Sequence, residues 1–116
     1  MKKNVIQDKS FQFSLAVIAL YKQLQADNEY ILSKQLLRSA TSIGANVEEA
    51  TAGISKKDFV AKLTISLKEA RESRYWLKLL DESELTKIDV KEEFAKSEEI
   101  IRILTSIIKT TKENLK

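Results

Sequence analysis

The sequence predicts an all-α fold, an up-down-up-down antiparallel four-helix bundle, and three observations predict it. The chain of 116 residues has no proline and two glycines, so it lacks the turn residues that sheets and loop-rich domains need at every reversal. Apolar residues recur at spacings of three and four over four long stretches. Only short polar runs separate these stretches, and short connections make successive helices antiparallel neighbours. The length suits one domain, residues 1–116, around one core.

The first helix is expected over about 8–25. Phe11, Leu15, Ile18 and Ala19 recur at helical spacing, continued by Tyr21 and Leu24, while Phe13, Val17 and Leu20 occupy an adjoining face, so the apolar stripe is wide. Ala26 to Glu29 reads as the first turn. The second helix, about 33–52, takes Ser33 as its N-cap. Its apolar face is Leu36, Leu37, Ala40, Ile43, Gly44, Val47 and Ala50. Gly44 lowers helix propensity by about 1 kcal/mol relative to Ala, and close packing against a neighbour is the expected compensation. Gly53 is placed just past the helix end, as the C′ residue.

Ser55-Lys56-Lys57-Asp58 resembles a capping box and opens the third helix, about 56–80. Phe59, Leu63, Leu67, Ala70, Leu77 and Leu80 share its core face, with Val60, Ile65, Trp76 and Leu79 outside that line. The fourth helix, about 89–113, starts at Asp89 as N-cap. Glu92 and Glu93 come early and Lys109 and Lys112 late, an order that suits the helix dipole. Phe94, Ile101, Leu104, Ile107 and Ile108 face the core, and Ile100 and Ile103 widen the stripe. Stripes this wide on helices one, three and four exceed what a lone bundle hides, which predicts self-association.

Composition removes several function classes. The chain has no Cys and no His, so disulfides, thiolate metal sites and the commonest general base and zinc ligand are all missing. No apolar run approaches the roughly 20 residues that span a bilayer, and polar residues interrupt the N-terminal stretch, so the expected location is cytoplasmic. The net charge of +3 permits a polyanion partner without demanding one. Glu69 and Glu72 have i,i+3 spacing but read as surface or interface acids, not metal ligands. No Gly-rich loop presents a nucleophile or cradles a phosphate. Neither cofactor nor catalytic residues are expected, and the chain is read as a non-enzyme.

Ser33 to Ala50, Ser55 to Phe59, and Ala70-Arg71-Glu72-Ser73-Arg74-Tyr75-Trp76-Leu77 together resemble the signature of the four-helix bundle family encoded in 23S ribosomal RNA intervening sequences. Phe11-Gln12-Phe13 and Leu20-Tyr21-Lys22 fit the first helix of that family. The resemblance implies a bundle assembled into a ring, a homopentamer, with no established enzyme activity. It also implies a relation to the accessory variability protein of diversity-generating retroelements, which is thought to bind RNA and a reverse transcriptase through a basic surface.

Two polar faces stand out. Arg38, Ser42, Asn46 and Glu49 follow steps of four, four and three on helix two, and Lys62, Glu69, Glu72 and Trp76 follow steps of seven, three and four on helix three. The faces are positioned to meet, pairing Arg38 or Lys62 with Glu49, Glu69 or Glu72, and Arg38 is the expected anchor. Either they form a polar site at a subunit interface or they are a network that fixes packing register. Tyr75 and Trp76 beside Arg71 and Arg74 suit a protein interface or base stacking, and Trp76 is expected at a subunit contact. Lys56, Lys57, Lys62, Arg71 and Arg74 are the candidate nucleic-acid contacts, and a ring would multiply a weak basic patch. The functional expectation is an oligomeric scaffold for RNA or a nucleic-acid-processing protein. The alternative is a protein–protein adaptor ring without nucleic acid.

Overall fold

The computed structural model describes residues 4–115, in which four helices are built: α1 Val5–Ala26, α2 Leu32–Thr51, α3 Lys56–Glu82 and α4 Lys91–Asn114. No strand occurs among the described residues. Each helix packs on its sequence neighbour and α1 also packs on α4, so the four form a square around one shared core. The bundle measures 48 × 24 × 21 Å.

Capping chemistry sets the boundaries, and it moves three of them from where the sequence placed them. α1 starts at Val5 rather than near Asp8 because the Asn4 side chain accepts from the Ile6 N–H at 3.0 Å. Ser33 is not an N-cap. The Glu29 carboxylate instead takes the orphan N–H groups of Ile31, Leu32 and Ser33 at 3.1, 3.2 and 2.6 Å, and the buried Ser33 hydroxyl donates back to the Glu29 carbonyl at 2.8 Å. At α4, Asp89 Oδ1 accepts from the Lys91 N–H at 3.0 Å, so the helix begins two residues later than expected. Ser55 caps α3, accepting from the Asp58 N–H at 3.1 Å.

α1 ends in a Schellman motif. Asn28 takes the left-handed conformation with a φ of 64°, its N–H bonds to the Gln25 carbonyl, and the Glu29 N–H reaches the Leu24 carbonyl at 2.8 Å. Asn tolerates that conformation better than most residues. After α3, Glu84 takes the left-handed conformation, with a φ of 61°, and the Leu85 N–H turns to Ser83 Oγ at 3.4 Å. Gly53 follows α2 with no positive φ. Its value is space, because a Cβ there would meet the Ala50 carbonyl at 3.0 Å. Thr86 Oγ1 donates to Asp27 Oδ2 at 2.6 Å and ties the α3–α4 connection to the α1–α2 turn.

The core decides between the two apolar faces of α1. Ile6, Ser10, Phe13, Val17, Leu20 and Leu24 are buried, whereas Phe11, Leu15, Ile18 and Ala19 are exposed. Both stripes have helical spacing, but only the first runs the whole helix; the second stops at Asp8 and Lys22. The longer stripe buries more apolar area and wins. In α3, Val60 joins the core while Phe59 and Leu67 only pack against its edge. In α4, Ile100, Ile101, Leu104 and Ile108 are buried, with Phe94, Ile103 and Ile107 at the margin.

The α2–α3 interface is built from small residues. Ser39, Ala40, Ser66, Ala70 and Ser73 are fully buried. The Ser39 and Ser73 hydroxyls lie 2.8 Å apart, and Ser66 Oγ donates across to the Ile43 carbonyl at 2.9 Å. Backbone carbonyls and partner hydroxyls satisfy these groups, so the seam is polar yet closely packed.

Candidate nucleic-acid interface

α3 presents three faces to three surroundings. One turns toward α2 and carries the polar network. Arg38 Nη1 bonds Glu69 Oε2 at 2.9 Å and Nη2 bonds Glu72 Oε1, while Trp76 Nε1 donates to the same Glu72 oxygen at 3.3 Å. Glu69 is buried and Arg38 is half-exposed, so the guanidinium closes the outer end of a largely desolvated carboxylate. The hydrogen bond to Glu72 is the main reason the Arg38 pKa rises above its ordinary value; burial opposes the rise and Glu69 adds to it. Lys62 forms a separate pair with Glu49 at 3.1 Å. Asn46 Nδ2 donates to the Ser42 carbonyl at 2.9 Å. That bond stays inside α2, and neither residue reaches the α3 carboxylates.

The outward face of α3 carries Lys57, Lys68, Arg71, Tyr75 and Lys78 at steps of eleven, three, four and three, which align on one side of a helix. All five are exposed. At about 1.5 Å per residue the row from Lys57 to Lys78 is roughly 31 Å long. No ion pair involves any of its four cations among the described residues. The cations that are neutralised lie elsewhere: Lys9 with Glu99, Arg38 with Glu69 and Glu72, Lys62 with Glu49, Lys91 with Asp81 and Lys96 with Glu92.

Where this row meets α4 the surface opens into a cleft of about 410 Å³ lined by Arg71, Arg74, Tyr75, Lys78, Phe94 and Glu98. Three cations face one carboxylate there. Tyr75 is 56% exposed and meets the Trp76 ring edge-on, with centroids 5.3 Å apart and planes at 65°. Trp76 itself packs against the core of its own chain.

The structure therefore gathers Arg71, Arg74 and Tyr75 at one place and joins Arg38, Glu69, Glu72 and Trp76 at another. Lys56 and Lys57 lie at the far N-terminal end of α3, and Lys62 is turned away to α2. Lys68, Lys78, Phe94 and Glu98 were not among the candidate site residues read from the sequence, which placed Phe94 on the core face of helix four. Helical spacing from Arg71 and Arg74 was signal enough for Lys68 and Lys78. Nothing local announces Phe94 and Glu98, because they arrive from another helix.

Comparison with known proteins agrees with this architecture. A family model described as 23S rRNA-intervening sequence protein matches residues 2–106. A crystal structure of a protein with unknown function from the S23 ribosomal protein family of Bacteroides thetaiotaomicron superposes with a TM-score of 0.86 at 48% identity, covering 94% of this chain and 99% of that one. No curated protein matches the chain.

Proposed function

Since the chain belongs to the 23S rRNA-intervening sequence protein family, we propose that it works without catalysis, as an oligomeric bundle that binds RNA along the outward face of α3. The observation that carries this reading is the alignment of four exposed cations and Tyr75 on one face of α3, with none of the four in an ion pair among the described residues. Phosphates bind by displacing counterions from such a row, and each contact adds to the salt dependence of affinity. Tyr75 and Arg74 supply the aromatic and planar groups that RNA recognition uses beside charge.

Assembly belongs to the same proposal. Phe11, Leu15 and Ile18 leave an apolar stripe on the outside of α1. It borders a shallow groove of about 250 Å³ lined by Ser14, Thr41, Gly44 and Ala45. Covering that stripe with further copies supports the homopentamer that the family resemblance implies, and a ring would present the α3 row five times. Among the described residues no helix is long and apolar enough to cross a membrane.

The test is a titration of structured RNA at several salt concentrations, followed by anisotropy. Affinity is expected to fall with salt by a log–log slope of about −0.7 to −0.9 per phosphate contacted, and Lys68→Glu with Arg71→Glu should flatten the slope. Absence of binding at low salt, or affinity indifferent to salt, refutes the reading. Capture of a protein partner that survives nuclease would then favour the adaptor function.

A further inference from the structure

We infer that the cleft between α3 and α4 seats one unpaired nucleotide of an RNA strand, its phosphate held by Arg71, Arg74 and Lys78 and its base stacked on Tyr75. The inference rests on the RNA-binding reading above and narrows it from a charged surface to a single-strand site. Charge alone does not require a cavity. An evenly basic helix face binds duplex and single strand through their backbones. This cleft adds what a backbone contact has no use for. Its volume of about 410 Å³ lies within the range of roughly 300–1,000 Å³ typical of small-ligand pockets. Tyr75 keeps more than half its surface in solvent although it is a large aromatic, and its contact with Trp76 is edge-on, which covers less of a ring than stacking does. The ring is also braced. Trp76 is tethered through Nε1 to Glu72, and Glu72 is held by Arg38, so the platform is ordered before ligand arrives.

The remaining lining sets the orientation. Arg71, Arg74 and Lys78 are all on α3, and guanidinium groups match phosphate oxygens in pairs. Glu98 enters from α4 and repels a phosphate, but it accepts from the amino groups on a base edge. The phosphate end and the base end of the cleft are thus chemically distinct. In a duplex the base faces are already stacked and the edges paired, so Tyr75 has nothing to receive.

The experiment compares a short unstructured RNA strand with the same strand annealed to its complement, both titrated by anisotropy against the full chain. Variants are Tyr75→Ala, Tyr75→Phe, and the pair Lys57→Ala with Lys68→Ala, which lies outside the cleft. Tyr75→Ala is expected to weaken the single strand by about 5- to 150-fold and to leave duplex affinity unchanged. Tyr75→Phe keeps the platform and should bind as the unaltered chain does. The lysine pair should weaken both forms alike. If Tyr75→Ala leaves single-strand affinity intact while the lysine pair lowers it, the nucleotide seat is refuted and the RNA-binding row stands. If neither RNA form binds at low salt, both fall.

Discussion

Replacing Gly44 by Ala tests the packing of α1 on α2 directly. The sequence suggests that a glycine in mid-helix is there to admit a close neighbour. In the structure a Cβ built at Gly44 meets Ser14 Oγ at 3.5 Å and the Ser10 carbonyl and hydroxyl oxygens at 3.6 Å. These are ordinary van der Waals separations, so no steric term opposes the change. Gly44 has no positive φ, and Ala carries no backbone strain there. The gain in helix propensity is about 0.8–1.0 kcal/mol in a helix interior. Three new contacts of about 0.1–0.2 kcal/mol each add a little more. Gly44→Ala should therefore stabilise the fold by about 1 kcal/mol. With a urea slope near 1.5 kcal/mol/M, the midpoint rises by roughly 0.7 M. The assay is urea unfolding followed by far-ultraviolet circular dichroism, at dilutions where the midpoint no longer depends on protein concentration. A lower midpoint at unchanged slope would falsify the claim that the methyl group fits. A raised midpoint combined with weaker self-association would assign the glycine to contact between copies.

Three further outcomes follow from the geometry. Arg38→Ala removes the cation shared by Glu69 and Glu72; because Arg38 is half-exposed and Glu69 buried, a loss of about 1–2 kcal/mol is expected in denaturant unfolding. A double-mutant cycle with Glu69→Gln should show coupling of about 0.5–1 kcal/mol, and strict additivity would mean the pair is decorative. Glu84→Gly relieves a left-handed residue at an exposed position and should raise thermal stability by about 0.5–1 kcal/mol; no change would show that Glu84 bears no strain. Leu15→Glu lies on the exposed stripe of α1, so it should lower the mass seen by sedimentation while leaving helical content intact. A variant that keeps the full assembly would move the interface elsewhere.

How much was legible depends on the range of the signal. The four helices were legible because each carries its own period and connections too short to hide another element. Ser55 as a cap was local and readable. Ser33 was not, since the Glu29 carboxylate caps the helix start from outside, at the N–H groups of Ile31, Leu32 and Ser33, and the Ser33 hydroxyl bonds back to the Glu29 carbonyl. The pairing of helices two and three through Arg38 could be drawn from spacing, because neighbouring antiparallel helices must meet along their length. The buried serines of that seam escaped, since a small polar residue looks the same in sequence whether its hydroxyl meets water or a carbonyl across the interface.

By itself the sequence determined that this chain is four amphipathic helices with more apolar surface than one bundle hides, because period and composition are properties of each segment alone. Only the tertiary structure decided which of two equally periodic stripes of α1 turns inward and which cations are neutralised. It also brought Phe94 and Glu98 beside Arg71 and Tyr75. Those are choices between segments, settled by total buried area and by distance, and neither quantity exists until the helices are placed together.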